Sequence, residues 1–214
     1  MGFDLSGSKP IINKKEPQEM KDILKDWGDD LGWGLDWKKD IPEKIKDRYW
    51  ELKDKHYLAN PGIYFRANVW WWRPIWNYVA DFCDFLSNKD LDKGTTNDGE
   101  EISKTKAKKI AARLRRTAKD GTMDSWCEVH NKRYEKAKSH NLKIRKKLDK
   151  INKQCQEAVG DNSIVPADYP EPFKTKWRSI YSQKDWNASY PCNKDALLDF
   201  ERFCEESGGF VISW

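Results

Sequence analysis

The segment at residues 64–74, YFRANVWWWRP, combines aromatic and cationic side chains more densely than any other part of the chain. Aromatic planes stack on nucleobases, and the guanidinium group of Arg forms paired hydrogen bonds with phosphate. The segment therefore predicts a recess for a nucleotide-type anion. Trp70 and Trp72 would stack the base, and Arg66 and Arg73 would bind phosphates. The candidate ligand-binding residues are Tyr64, Arg66, Asn68, Trp70, Trp72, Arg73, Asn97 and Asp98.

Two structural interpretations of this segment stay open. As a strand, it would place Trp70 and Trp72 on one face and Trp71 on the other. Alternatively, the rings form solid core and the two Arg pair with buried carboxylates, because aromatic clusters usually belong to the core. In either case Pro74 is expected to open a helix over residues 75–86. The turn sequence Asn97–Asp98 would contribute a polar loop.

A second candidate surface lies in a strongly basic stretch. Residues 101–153 contain 18 Lys and Arg against 6 Asp and Glu. Such a stretch suits a phosphate-tracking surface for nucleic acid or for an acidic host protein, or else a solvated helix face. The candidate partner-binding residues are Lys143, Arg145, Lys146 and Lys147.

Heptad periodicity runs through much of that stretch. Apolar or small residues recur at alternating spacings of four and three over residues 123–158, which predicts one long helix. Its seam is polar in the first half, at His130 and Asn141, and apolar at Ile144 and Leu148. A stripe this narrow needs a partner surface. The preceding helix, a second copy in a homo-oligomer and a binding partner are the candidates.

Helix-type spacing of apolar residues in several segments predicts a mainly α fold with a minor β part. The chain has 214 residues with 38% hydrophobic residues and 12 Trp, so aromatic rings must supply much of the core. Residues 1–122 and 160–214 are expected to form one aromatic-cored domain, with residues 123–159 protruding as a basic helix. Residues 1–22 are expected to be an extended surface arm or partly disordered, and residues 210–214 a terminal strand or a docking tail. No apolar run is long enough for a membrane span, and no secretory signal is recognisable.

Catalysis is not expected from these residues. The five Cys are single and read as packing residues, and the three His lack metal-ligand spacing. No nucleophile motif or Gly-rich phosphate loop occurs, so we expect a non-enzymatic protein without metal or cofactor.

Four sequence motifs together are similar to one family. Residues 2–7 read GFDLSG and residues 62–79 read GIYFRANVWWWRPIWNYV, and residues 97–99 and 207–210 read NDG and SGGF. The pattern resembles uncharacterised proteins of bacteriophages and prophages that share a GFDL start, a YFRNNVWWWRPLW core, an NDG turn and an SGGF end. Residues 123–186 match poorly. Some relatives have zinc-ribbon-like stretches there, which this chain replaces with the lysine-rich helix, so no metal site is implied.

This resemblance implies a small phage accessory protein made in the host bacterial cytoplasm. Accessory phage proteins often counter host defence by trapping nucleotide-derived signals, or by binding a defence protein or nucleic acid. We therefore expect sequestration of a nucleotide-derived signalling molecule. The alternative is inhibition of a host defence protein or of nucleic-acid machinery through the basic helix.

Overall fold

The computed structural model describes residues 2–30, 32, 34–96 and 98–213. Within this part of the chain the fold is mainly α-helical with one small sheet, which confirms the predicted fold class. The chain forms two compact units, one of Met1–Gly121 with Lys194–Trp214 and one of Thr122–Asn193. We call them the sheet unit and the long-helix unit.

The sheet unit is built on four antiparallel strands in the order β2-β1-β4-β3. They are β1 (Gly2–Gly7), β2 (Tyr64–Asn68), β3 (Glu100–Ser103) and β4 (Gly209–Ser213). Strand β1 is central, and its Leu5 pairs with Phe65 on one side and Ile212 on the other. Phe3 and Leu5 point to the core while the residues between them face outward. The expectation of a surface arm was therefore wrong for β1, because two alternating apolar residues are too short a signal.

The remaining elements of the sheet unit are helical. They are α1 (Gln18–Trp27), α2 (Glu43–Ala59), α3 (Val69–Phe82), α4 (Asn88–Lys93), α5 (Lys104–Lys119) and α8 (Lys194–Glu206). Helices α3, α5 and α8 contact the strands, and α5 packs along α8. Helices α1 and α2 enclose a smaller apolar cluster around Met20, Tyr49 and Leu52.

Helix α3 begins at Val69, six residues before the predicted start at residue 75. The side chain of Asn68 accepts a hydrogen bond of 3.0 Å from the Trp71 amide, which caps the helix and makes Val69 its first residue. The three Trp are consequently spread around a helix. Pro74 lies inside α3 rather than at its start.

Trp72 is the centre of the aromatic core. Its ring is fully buried, and it stacks on Phe3 at 5.4 Å and on Trp76 at 5.2 Å between ring centroids. Its Nε1 donates to the Gly94 carbonyl, and Trp76 Nε1 donates to the Leu91 carbonyl, each at 2.7 Å. Only glycine fits at position 94, because the Trp76 ring occupies the space that a Cβ atom would fill. The two indoles therefore fix α4 to α3.

The long-helix unit consists of α6 (Thr122–Val159), α7 (Phe173–Tyr181) and a short 3-10 helix (Trp186–Ser189). Helix α6 has the length that the heptad pattern predicted. Residues 160–193, which we call the returning segment, belong to the same unit. The sequence grouping had placed them with the aromatic-cored domain, because their Tyr and Trp residues resemble core. In the structure, α7 and the 3-10 helix pack on α6.

None of the described helices is both long enough and apolar enough to cross a bilayer.

The core position of Trp72 is tested by two neighbouring substitutions. Trp72→Ala removes a fully buried ring, and we expect it to lower the free energy of unfolding by about 3–5 kcal/mol. Trp71→Ala is the matched control, because the Trp71 side chain is 47% exposed. Urea denaturation of both variants provides the measurement. Equal losses would contradict the assignment of Trp72, and not Trp71, to the core.

Acid stability tests a buried ion pair. Asp90 accepts hydrogen bonds of 2.6 Å from Lys106 Nζ and Ser87 Oγ, and these partners lower the pKa of Asp90 from 3.8 to about 2. Because the pKa is lower in the folded state, the stabilisation is complete above about pH 5 and is lost as the pH falls towards 2. Asp90→Asn should lower the unfolding free energy at pH 6 and flatten its decline between pH 5 and pH 2.

Asp98→Asn, which neutralises an exposed carboxylate, is the control and should decline like the parent protein. Parallel curves for Asp90→Asn and the parent protein would show that the pair does not control acid stability.

Candidate functional site

The predicted residues on strand β2 are engaged by a carboxylate. The Tyr64 hydroxyl donates to Asp4 Oδ1, and Arg66 Nε lies 3.5 Å from the same oxygen. Burial and the Asp4 hydrogen bond raise the pKa of Tyr64. Arg66 is exposed, but its charge is balanced locally.

The other residues of the predicted recess do not converge on one point. Asn68 is used as the cap of α3, Trp72 is core, and Trp70 is about half exposed on the helix surface. Arg73 is exposed on α3, and Asp98 is exposed before β3. Asn97 lies outside the described residues. The predicted pairing of Trp70 with Trp72 in one recess is wrong, because residues two positions apart on a helix do not share a face.

A cleft of about 450 Å³ does adjoin Tyr64 and Arg66. Tyr57, Leu58 and Phe65 contribute to its apolar wall. Its charged lining consists of Arg66, Arg202, Asp54 and Asp199, and Arg202 Nη1 is 3.4 Å from Asp199 Oδ1. Two guanidinium groups against two carboxylates leave no net attraction for a phosphate.

The basic stretch of the sequence forms two helices, α5 and α6, whose cations have different surroundings. On α5, Lys106 pairs with Asp90, Arg113 with Asp84, and Arg115 with both Glu201 and Glu205. These pairs offset much of the charge of α5. The predicted partner residues on α6, which are Lys143, Arg145, Lys146 and Lys147, are all exposed.

The returning segment binds α6 through two asparagine clamps. Asn141 Nδ2 donates to the Asp185 carbonyl at 2.8 Å, and the Asp185 amide donates to Asn141 Oδ1 at 2.9 Å. Asn131 makes the same pair of bonds to Cys192, at 3.1 and 2.8 Å. Each amide side chain thus satisfies the donor and the acceptor of one residue, which a helix backbone cannot do because its own groups are already paired.

Two histidines add to this attachment. His130 Nε2 donates to the Tyr190 carbonyl at 2.6 Å, and His140 Nε2 donates to the Gln183 carbonyl at 2.9 Å. Both nitrogens must carry the proton, since a carbonyl only accepts. At the far end, the Tyr169 hydroxyl donates to Asn152. The contacts run in opposite order along α6 and the returning segment, so the returning segment lies antiparallel to α6 and covers its seam.

A cleft of about 760 Å³ lies where α6 meets residues 183–190. Trp186 is 60% exposed at this cleft, and its ring meets the edge of Tyr181 at 6.2 Å between centroids. Lys184 Nζ lies 4.4 Å from the centroid of Tyr181. The lining residues are Arg133, Lys136, His140, Gln183, Lys184, Asp185, Trp186, Asn187 and Tyr190.

The electrostatic balance of this cleft is positive. In the described part of the chain, no carboxylate pairs with Arg133, Lys136 or Lys184; the ion pairs within α6 use neighbouring lysines such as Lys132. Asp185 is the one acidic lining residue, and its Oδ1 already accepts from the Asn187 amide and from Asn187 Nδ2. Three cations beside the exposed ring of Trp186 form an anion-binding surface with a stacking platform.

Sequence reasoning missed this cleft. Arg133 and Lys136 lie within the basic stretch but are not among the predicted partner residues, and Lys184, Trp186 and Tyr190 were assigned to the aromatic-cored domain. Residues about 50 positions apart meet here, and no periodicity links them. The signal that could have located the contact is the polar seam, because His130 and Asn141 require polar partners.

Among the described residues, no group of three or more His, Cys, Asp or Glu side chains could hold a metal ion. All five Cys are buried. Comparison of the chain with models of protein families, with curated proteins and with solved structures finds no match. The ligand class therefore has to follow from the residues of the cleft.

The asparagine clamps give a residue-specific prediction. Asn141→Ala removes both hydrogen bonds that join the Asp185 backbone to α6. We expect the Asp185 amide to exchange with deuterium about 5- to 150-fold faster, as expected for the loss of ~1–3 kcal/mol of local protection. The Cys192 amide, bound to Asn131, should be unaffected.

Asn131→Ala is the matched control and should give the opposite pattern. Uniform acceleration in both variants would mean that the returning segment opens as a whole and that the clamps do not act separately.

Proposed function

We propose that the protein binds a nucleotide-type anion, without converting it, in the cleft between α6 and residues 183–190. The observation that carries the proposal is the position of exposed Trp186 beside Arg133, Lys136 and Lys184. A planar base and an attached phosphate need this combination of groups.

The stacking energy, the hydrogen-bonding capacity and the volume of the cleft support this ligand class. Stacking of a base on an aromatic ring contributes about 1–3 kcal/mol, and every base offers a π face. Lys and Arg bind phosphate by charge-assisted hydrogen bonds, with Arg able to use two at once. A volume of about 760 Å³ falls within the size range of small-molecule sites.

The resemblance to phage proteins gives this binding a biological role. We propose a phage accessory protein of the host bacterial cytoplasm that counters host defence by sequestering a nucleotide-derived signalling molecule. Sequestration needs affinity and abundance but no turnover, so a cleft of cations and rings suffices.

One observation favours a second candidate function. Lys143, Arg145, Lys146 and Lys147 are exposed on α6 beyond the cleft. A host defence protein with an acidic surface, or nucleic-acid machinery, would find complementary charge there. Binding of such a partner would inhibit host defence without a small-molecule ligand.

The sequestration proposal is tested with purified protein and a panel of ADP, ADP-ribose and cyclic dinucleotides. A bound nucleotide should raise the melting temperature and quench Trp fluorescence. Trp186→Ala should weaken binding by about 5- to 150-fold, which corresponds to ~1–3 kcal/mol of stacking.

Trp37→Ala is the matched control, because Trp37 is an exposed indole of the sheet unit and should leave affinity unchanged. No thermal shift with any member of the panel at millimolar concentration would refute the proposal.

A further inference from the structure

Helix α6 has a one-sided charge pattern that the cleft does not use in full. Basic residues occupy the position immediately before each residue of the heptad seam, from Tyr134 to Ile151. Five of the six such positions are Lys or Arg, and the sixth is His140, whose Nε2 donates to the Gln183 carbonyl: Arg133, Lys136, His140, Lys143, Lys147 and Lys150. The positions immediately after the seam are mixed, with Glu135, Lys138, Leu142, Arg145, Asp149 and Asn152. One flank of the helix is therefore a continuous line of basic residues, which we call the basic stripe.

Helical geometry makes the stripe a straight track. Its members are spaced alternately by three and four residues, so their side chains share one face. From Arg133 to Lys150 the track is about 26 Å long, with a basic group about every 5 Å. All six side chains are exposed, and the described ion pairs of α6 use Lys132, Lys138 and Lys153, which are not members of the stripe.

The stripe begins at the aromatic cleft. Its first three residues, Arg133, Lys136 and His140, line the cleft beside Trp186. The last three continue along α6 away from it. A ligand with a base at Trp186 and a single phosphate group would leave Lys143, Lys147 and Lys150 unused.

We infer that the ligand class is a single-stranded oligonucleotide, with one base stacked on Trp186 and successive phosphates following the basic stripe. This inference rests on the proposed function and names its ligand. A linear polyanion matches a linear track of cations, and the ring platform at one end matches nucleic acid better than an acidic protein, which brings no bases. At about 3.4 Å per nucleotide of a stacked strand, the stripe spans about eight nucleotides.

The experiment compares two double variants that remove equal charge from adjacent positions. Lys143→Ala with Lys147→Ala removes two members of the stripe, and Arg145→Ala with Lys146→Ala removes two cations from other faces of the same helix. Fluorescence anisotropy measures binding of dTMP and of oligo-dT of four, eight and sixteen nucleotides between 50 and 300 mM salt. Circular dichroism confirms that each variant keeps its helix content.

Affinity per strand should rise from dTMP to the eight-nucleotide probe and then level off. The stripe variant should bind the eight-nucleotide probe about 25-fold more weakly at 100 mM salt and lose about 1.4 from the slope of log affinity against log salt. Its affinity for dTMP should be unchanged. The control variant should change the slope by less than about 0.7, the equivalent of one phosphate contact.

Four outcomes would overturn the inference, and they differ from one another. Binding of dTMP that depends on Trp186 but does not increase with length would leave the proposed function and remove the oligonucleotide. Equal losses in the two double variants would mean diffuse attraction without a track. Poly-glutamate of matched charge that binds as tightly as the eight-nucleotide probe, with no effect of Trp186→Ala on either, would assign the stripe to an acidic protein. Failure of every nucleotide probe, dTMP included, would refute the proposed function as well.

Discussion

The cleft depends on the two hydrogen bonds between the side chain of Asn141 and the backbone of Asp185. A helix cannot offer backbone groups sideways, because its amides and carbonyls are paired along the axis. An irregular segment that packs on a helix therefore needs side chains that both donate and accept, and an asparagine amide does this within one residue. Lys184 and Trp186 flank Asp185 in sequence, so the clamp that fixes Asp185 also fixes the cation and the ring that define the cleft. Asn131 repeats the device at Cys192 and so limits the freedom of the intervening residues.

Charge is distributed so that only one of the two units carries an excess. Residues 122–193 contain 14 Lys and Arg against 9 Asp and Glu, and the remainder of the chain contains 26 of each. The net charge of +5 therefore belongs entirely to the long-helix unit. In the sheet unit, ion pairs such as that of Arg115 with Glu201 join elements of the fold. The described ion pairs of α6 connect neighbouring turns of the same helix, which adds little stability but leaves the other cations open to solvent. The same residue types thus stabilise the fold in one unit and remain available to a ligand in the other.

The sequence predicted the long helix and the terminal strand correctly, because heptad spacing and an apolar terminus are periodic or compact signals. It failed at the Trp-rich segment for a local reason. Asn68 caps a helix there, and a capping residue is visible only when the start of the helix is already known. Strand β1 was missed because only two residues, Phe3 and Leu5, show the alternation of apolar and polar side chains that is typical of a strand. The cleft could not be predicted, since it joins α6 to residues about 50 positions away that carry no pattern. The polar seam positions His130 and Asn141 were identified from the sequence, but their hydrogen-bonding partners were not.

The polar half of the seam also determines what kind of surface can cover α6. A second apolar helix would bury His130 and Asn141 without partners, and each unsatisfied group would cost about 1–3 kcal/mol. An irregular segment with free carbonyls and amides satisfies them, which is what residues 183–192 do. Such a segment is thinner than a helix, and it covers the seam while the Lys and Arg side chains immediately before the seam stay exposed. The polar seam residues and the exposed basic flank therefore both follow from the packing of an irregular segment, and not a helix, on α6. A fully apolar seam would favour a helical partner, which would be broad enough to bury the cations.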